Sequence, residues 1–135
     1  MLGRILLTLD SVALLAGAWI ADWNHTHIFN PRWPPHAKFH DGQTIALSSL
    51  LGAATLFLAW RPYLVAGTPP AVARDSLLVA AFTGSVYWVA GLAASWFPGA
   101  AGVDPEFGSG FPQKIPFTVF AGLGVAGAAM ETLRA

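Results

Sequence analysis

QTIALSSLLGAATLFLAW, residues 43–60, carries no ionisable side chain from end to end. A helix of about 20 apolar residues crosses the hydrocarbon of a bilayer, so this run reads as a membrane span. Three further runs resemble it. Residues 5–23 are apolar apart from Thr8, Asp10, Ser11 and Asp22, and residues 76–97 and 117–133 complete the set. In lipid the backbone must satisfy its own hydrogen bonds. The expected fold is therefore all-α: an integral-membrane four-helix bundle, one transmembrane domain over 1–135, with both termini on one face.

Composition agrees. Of 135 residues 55% are hydrophobic and 10% charged, the net charge is +0 and cysteine is absent. Disulfides and thiolate metal sites are thereby excluded. Lys and Arg are few and dispersed, so no basic stripe exists to follow a nucleic-acid backbone. Arg4 before the first run and Ala18 and Ala21 near its end suggest a cleaved signal peptide, but Asp10 within the run and Trp19 near the cut argue against cleavage.

Four crossings put Arg4, Arg61, Arg74 and Arg134 on one side and Arg32, Lys38 and Lys114 on the other. Positive residues tend to stay cytoplasmic, which by a margin of one residue predicts cytoplasmic termini for this multi-pass protein. The side opposite the termini holds two long connections, 24–42 and 98–116. Ordered loops of such length often carry function. On the terminal side 61–74 is plainer, with Gly67-Thr68-Pro69-Pro70 as a turn before the third helix.

The first long connection contains HTHIFNPRWPPHAKFH, residues 25–40, which holds His25, His27, His36 and His40, all the histidines of the chain. Pro31, Pro34 and Pro35 stiffen it. Proline is accepted in the first turn of a helix, so the second helix is expected to begin at Pro35, ahead of its apolar run. His36, His40, Gln43 and Leu47 then share a face, and an i, i+4 histidine pair can chelate a metal. His25 and His27, two apart in an extended arm, point the same way. A turn at Asn30-Pro31 would fold that arm back, gathering four imidazoles between Asp22 and Asp41. Trp23, Phe29, Trp33 and Phe39 sit where aromatic belts lie. Arg32 is placed to stack on Trp33 or to hold a lipid phosphate or Asp22.

Asp10 is the buried charge of the first span, and such groups face a bundle interior or a wet cavity. Its plainer reading is a buried hydrogen-bond acceptor for a neighbouring helix, paired with Arg74 or Arg4, and Glu131 is expected to pair with Arg134 at the surface. Hydroxyl and small residues line one face of the second helix (Thr44, Ser48, Thr55) and one of the third (Ser76, Thr83, Ala90, Ala94), as helix contacts in membranes require. Tyr87 shares the third-helix stripe and offers a phenol for proton donation or substrate orientation. Asp104 and Glu106 belong to a solvated turn or to a lid over the histidines.

The segment ADWNHTHIFNPRWPPHAKFHDGQT, 21–44, resembles the signature of a small four-helix integral-membrane family of uncharacterised function with bacterial and fungal members. Asp22, Trp23, Thr26, His27, Asn30, Pro31, Trp33, Pro34, Pro35, His36, Phe39 and His40 carry that resemblance. It implies the membrane fold and singles out this motif, but assigns no chemistry.

Three functions fit these residues. The leading one is a membrane-embedded enzyme for isomerisation, hydration or cyclisation of a hydrophobic substrate. In it His27, His36 and His40 exchange protons, Asp22 and Asp41 orient them, and Asn24, Asn30, Arg32, Trp33 and Tyr87 hold the substrate. The second is an accessory subunit docking on a larger membrane complex or on copies of itself. The third is a transition-metal site of His25, His27, His36 and His40. Membrane lipid and a hydrophobic small molecule are the expected partners, and nucleic acid is not.

Overall fold

A computed structural model describes residues 1–133. Among these are four long helices, α1 (Leu2–Asp22), α2 (Pro35–Leu64), α3 (Pro70–Ala94) and α4 (Lys114–Thr132), and a 3-10 turn at Pro105–Phe107. The described residues hold no strand. All four helices are long and apolar enough to cross a membrane, and 22–28% of each helix's most apolar window is buried in the protein. The rest, with Leu50, Phe82 and Val89 exposed, is apolar surface that only lipid or another apolar partner can cover.

All four helices begin ahead of their apolar runs, and at α2 and α3 the start is set by proline. Pro34 is extended (φ −66°, ψ 155°) and Pro35 opens α2; Pro69 and Pro70 repeat this arrangement at α3. In both cases the ring fixes φ where a first-turn N–H has no partner to lose. Between them Gly67, at φ +73°, makes the turn.

Each helix packs on its chain neighbours, α4 closes on α1, and α1 touches α3 across the diagonal. Missing side chains allow these approaches. A Cβ on Gly127 would lie 2.7 Å from the Gly3 carbonyl oxygen at the α1–α4 crossing, and one on Gly52 would lie 2.9 Å from the Ser11 carbonyl of α1. Polar side chains then tie the helices where water cannot. Ser48 Oγ donates to the Leu14 carbonyl at 2.6 Å, Trp60 Nε1 to Thr8 Oγ1 at 2.9 Å, and Ser85 Oγ to the Ala121 carbonyl at 3.1 Å. The hydroxyls of Thr55 and Thr83 share a hydrogen bond at 2.8 Å.

Two charged residues have partners other than those expected. Asp10 is fully buried and accepts from Trp88 Nε1 at 2.8 Å, not from Arg4 or Arg74. It faces α3 from within the bundle, and a Cβ on Gly84 would collide with its carboxylate. Glu131 is also buried. It binds the Met1 amine at 2.5 Å, the Gly3 amide at 3.0 Å and the Arg4 guanidinium. The glycine crossing brings the start of α1 against the end of α4, so Glu131 turns inward; Arg134 lies outside the described residues. Arg4 also donates through Nε to the Ala59 carbonyl at 2.9 Å, which joins α2 to the same knot.

Candidate functional site

The connection 23–34 is a run of turns, not an extended arm. Asn24 is its hub. Its Nδ2 donates to the Ala21 carbonyl at 2.6 Å, its Oδ1 accepts from Thr26 N at 2.8 Å, and its own carbonyl accepts from Phe29 N at 3.0 Å. Such side-chain-to-backbone bonding is how Asn outcompetes an extended conformation. The histidines separate as a result. His25 meets the edge of Phe107, with ring centroids 5.8 Å apart, while His27 meets Trp33 at 5.1 Å.

His27 is wired at both nitrogens. The Thr26 hydroxyl gives its one hydrogen to Asn24 Oδ1 at 2.6 Å, so the 2.7 Å contact between Thr26 Oγ1 and His27 Nδ1 requires Nδ1 to be the donor. The lone pair of the neutral ring is thereby assigned to Nε2. Nε2 lies 3.6 Å from Asp22 Oδ1, at the last turn of α1. A proton taken up at Nε2 would face a carboxylate.

Two further groups of the bundle belong to this corner. Asp41 lies within electrostatic reach of His27 and Asp22; it is 8% exposed, and its Oδ2 finds no hydrogen-bond partner among the described residues. Tyr87 of α3 stands beside Ser48 and within reach of both aspartates.

These groups border a cavity of about 660 Å³ at the loop end of the bundle. Asp22, Thr26, His27, Thr44 and Tyr87 form its polar wall, Trp33, Phe107, Phe111 and Phe117 its aromatic walls, and Ala90, Gly91 and Ala94 of α3 its smooth floor. The volume is that of an ordinary small-molecule site. A Cβ on Gly91 would run into the Phe117 ring, so glycine lets that ring lie close against α3.

The second connection covers the first. Trp33 Nε1 donates to Asp104 Oδ2 at 2.7 Å, Asn30 Nδ2 to Glu106 Oε1 at 3.3 Å, and Arg32 pairs with Glu106. Arg32 is thus spent on the lid instead of on Trp33 or Asp22. The lid's carboxylates meet Trp33, Asn30 and Arg32 and not the imidazoles. Asn30 is buried and also accepts from Arg32 N through Oδ1 at 2.9 Å. Like Asn24, it has its polar atoms committed to the loops.

His36 and His40 stand apart from this cavity. They are exposed on the first turns of α2, with their Nε2 atoms 3.1 Å apart and His40 Nδ1 3.3 Å from Gln43 Oε1. The buried stripe of α2 runs Asp41, Ile45, Ser48, Gly52, Thr55, Ala59, at helical spacing, and it turns the histidine pair away from the polar corner. Among the described residues no three His, Cys, Asp or Glu side chains gather around one point. The four imidazoles therefore occupy three separate places.

Thr26, Thr44 and the phenylalanines of the lid complete the site without having been singled out for it. Thr44 and Ser48 follow Asp41 at i+3 and i+7, which is a detectable signal. The phenylalanines sit in irregular chain, where no period exists to read.

Fold and site together define a small four-helix membrane protein with a partly polar cavity at one end of the bundle. The chain belongs to a family of unknown function (DUF6640), whose pattern matches residues 6–135. Nothing among curated proteins or solved structures matches it.

Proposed function

We propose that this protein is a membrane-embedded enzyme that moves a proton on a hydrophobic substrate, with His27 as the acid–base group. The wiring of His27 carries this reading: Nδ1–H is held by Thr26 while Nε2 stands beside Asp22 at the cavity wall. In an isomerisation of an unsaturated ketone, Nε2 removes a proton from the carbon between the carbonyl and the C=C bond. The C–H pair forms a C=C bond to the carbonyl carbon while the carbonyl π pair moves onto oxygen, and reprotonation at the far carbon of the resulting diene restores the carbonyl. The imidazolium so formed is stabilised by Asp22, with Asp41 near. Nε2 then returns the proton at another carbon, which leaves enzyme and proton count unchanged. Tyr87 is placed to hold the polar group. General acid–base catalysis contributes about 10²–10⁴-fold, and the aromatic walls of the cavity limit the water around the intermediate.

The test is the lipid profile of cells producing wild-type protein or His27→Gln at equal membrane abundance. Accumulation of a hydrophobic species in the variant is expected. Identical profiles count against the proposal.

The pair His36 and His40 favours one further reading, a transition-metal site at the membrane surface. With metal–nitrogen bonds of about 2.0–2.1 Å, neighbouring ligands lie about 3 Å apart, and the two Nε2 atoms are 3.1 Å apart. The remaining coordination positions would fall to water. Elemental analysis of the purified protein and of His36→Ala decides it: metal present in the first and lost in the second is expected, and equal content in both rules the pair out.

A further inference from the structure

We infer that the cavity takes a hydrophobic molecule ending in a neutral or amine-bearing polar group, and that it refuses lipids ending in a phosphate. This rests on the proposed acid–base site and adds the class of its substrate.

The charges at the wall carry the inference. Asp22 and Asp104 both line the cavity, and among the described residues no Lys or Arg does. Arg32, the cation of the adjoining loop, is committed to Glu106. Lys114 stands over the ring of Phe111 and borders a separate groove between α3 and α4. Proteins that hold phosphate supply Arg, Lys or a fan of backbone amides; here a phosphate entering beside Asp22 would meet like charge with no Lys or Arg among the described lining residues to offset it, and a protonated His27 would already be balanced by Asp22. An ammonium would meet the same carboxylates favourably. A hydroxyl or ketone would find donors and acceptors in His27, Thr26 and Tyr87.

The remainder of the lining states what the tail must be. Rings of Phe107, Phe111 and Phe117 over a floor of Ala90, Gly91 and Ala94 favour a branched or unsaturated hydrocarbon. Asp104 and Gln113 add polar atoms on the side of the second connection, while the basic and hydroxyl groups, His27, Thr26 and Tyr87, set the polar end of the ligand toward α1 and α3.

Farnesol, farnesylamine and farnesyl phosphate share one tail and differ in the head, and their binding to the full chain in mild detergent can be followed by quenching of tryptophan fluorescence. Farnesol and farnesylamine are expected to bind at least tenfold more tightly than farnesyl phosphate, and Asp22→Asn is expected to narrow the gap between amine and phosphate. Farnesyl phosphate binding as tightly as the alcohol, or none of the three binding to protein shown to be helical by circular dichroism, overturns the inference. Since binding is read without turnover, a failure here leaves the acid–base test at His27 standing, and a failure there leaves the order of head groups standing.

Discussion

His27 Nε2 lies 3.6 Å from Asp22 Oδ1 across four intervening residues that fold as turns, and the hydroxyl of Thr26 fixes which imidazole nitrogen makes that approach. The pair joins the last turn of α1 to the cavity wall. Its geometry depends on Asn24, whose Oδ1 claims the Thr26 hydrogen.

Replacing Thr26 by valine keeps the shape of the side chain and removes the acceptor for Nδ1–H. The ring is then free to take the other tautomer, which places a proton on Nε2 and removes its lone pair. Nitrogen-15 NMR of the His27 ring should show the Nδ1–H form in wild type and a mixture in Thr26→Val. Turnover should fall by at least about tenfold, in keeping with the cost of a wrong tautomer in other imidazole bases. An unchanged tautomer would break the link between Thr26 and the site.

The contact between Trp88 Nε1 and Asp10 Oδ1 is a stability device buried at the centre of the bundle. Trp88→Phe leaves Asp10 without that donor and should cost about 1–3 kcal/mol, seen as a lower unfolding midpoint in mild detergent. Gly84→Ala should destabilise by a different route, because its Cβ would strike the Asp10 carboxylate. If both variants unfold with the wild type, Asp10 is not the tie described here.

Glu131 should be the most costly of the terminal-side residues to change. It is almost fully buried against Arg4, and its removal leaves that guanidinium without a carboxylate. Breaking a buried pair costs about 3–5 kcal/mol. Glu131→Ala is expected near the lower end of that range, because the Met1 amine is largely exposed. A double-mutant cycle with Arg4→Ala should show strong coupling, and additive losses would mean that the two act independently.

The lid ties should affect motion more than stability. Arg32 is 66% exposed, and exposed ion pairs contribute about 0–1 kcal/mol. Arg32→Ala and Trp33→Phe should therefore leave the unfolding midpoint nearly unchanged while speeding hydrogen exchange in 98–113. Unaltered exchange in both variants would show that the second connection is held by other contacts.

The four spans were legible because an uncharged run such as 43–60 has few alternatives in water or lipid, and Pro35 announced the early start of α2. The face shared by His36 and His40 was legible too. Its direction was not, because that depended on Asp41 and Ser48 taking the buried stripe, and both stripes carry polar residues. The partner of Asp10 had no local signal, being 78 residues away in the chain. Asn24 gave a turn signal in a segment read as extended, and that single residue decided whether His25 and His27 converged. Glu131 looked like a surface residue by its place near the chain end, while the Gly3 and Gly127 crossing that buries it is a property of two helices together.

The central claim, that His27 exchanges protons with a hydrophobic substrate, can be tested without knowing that substrate. Purified protein is incubated in D₂O with a neutral lipid extract of its own membranes, and the lipids are examined by mass spectrometry for deuterium bound to carbon. Wild type should label one class of lipid, and His27→Gln, folded equally well, should label none. Equal labelling by the two proteins would contradict the assignment of His27 as the acid–base group.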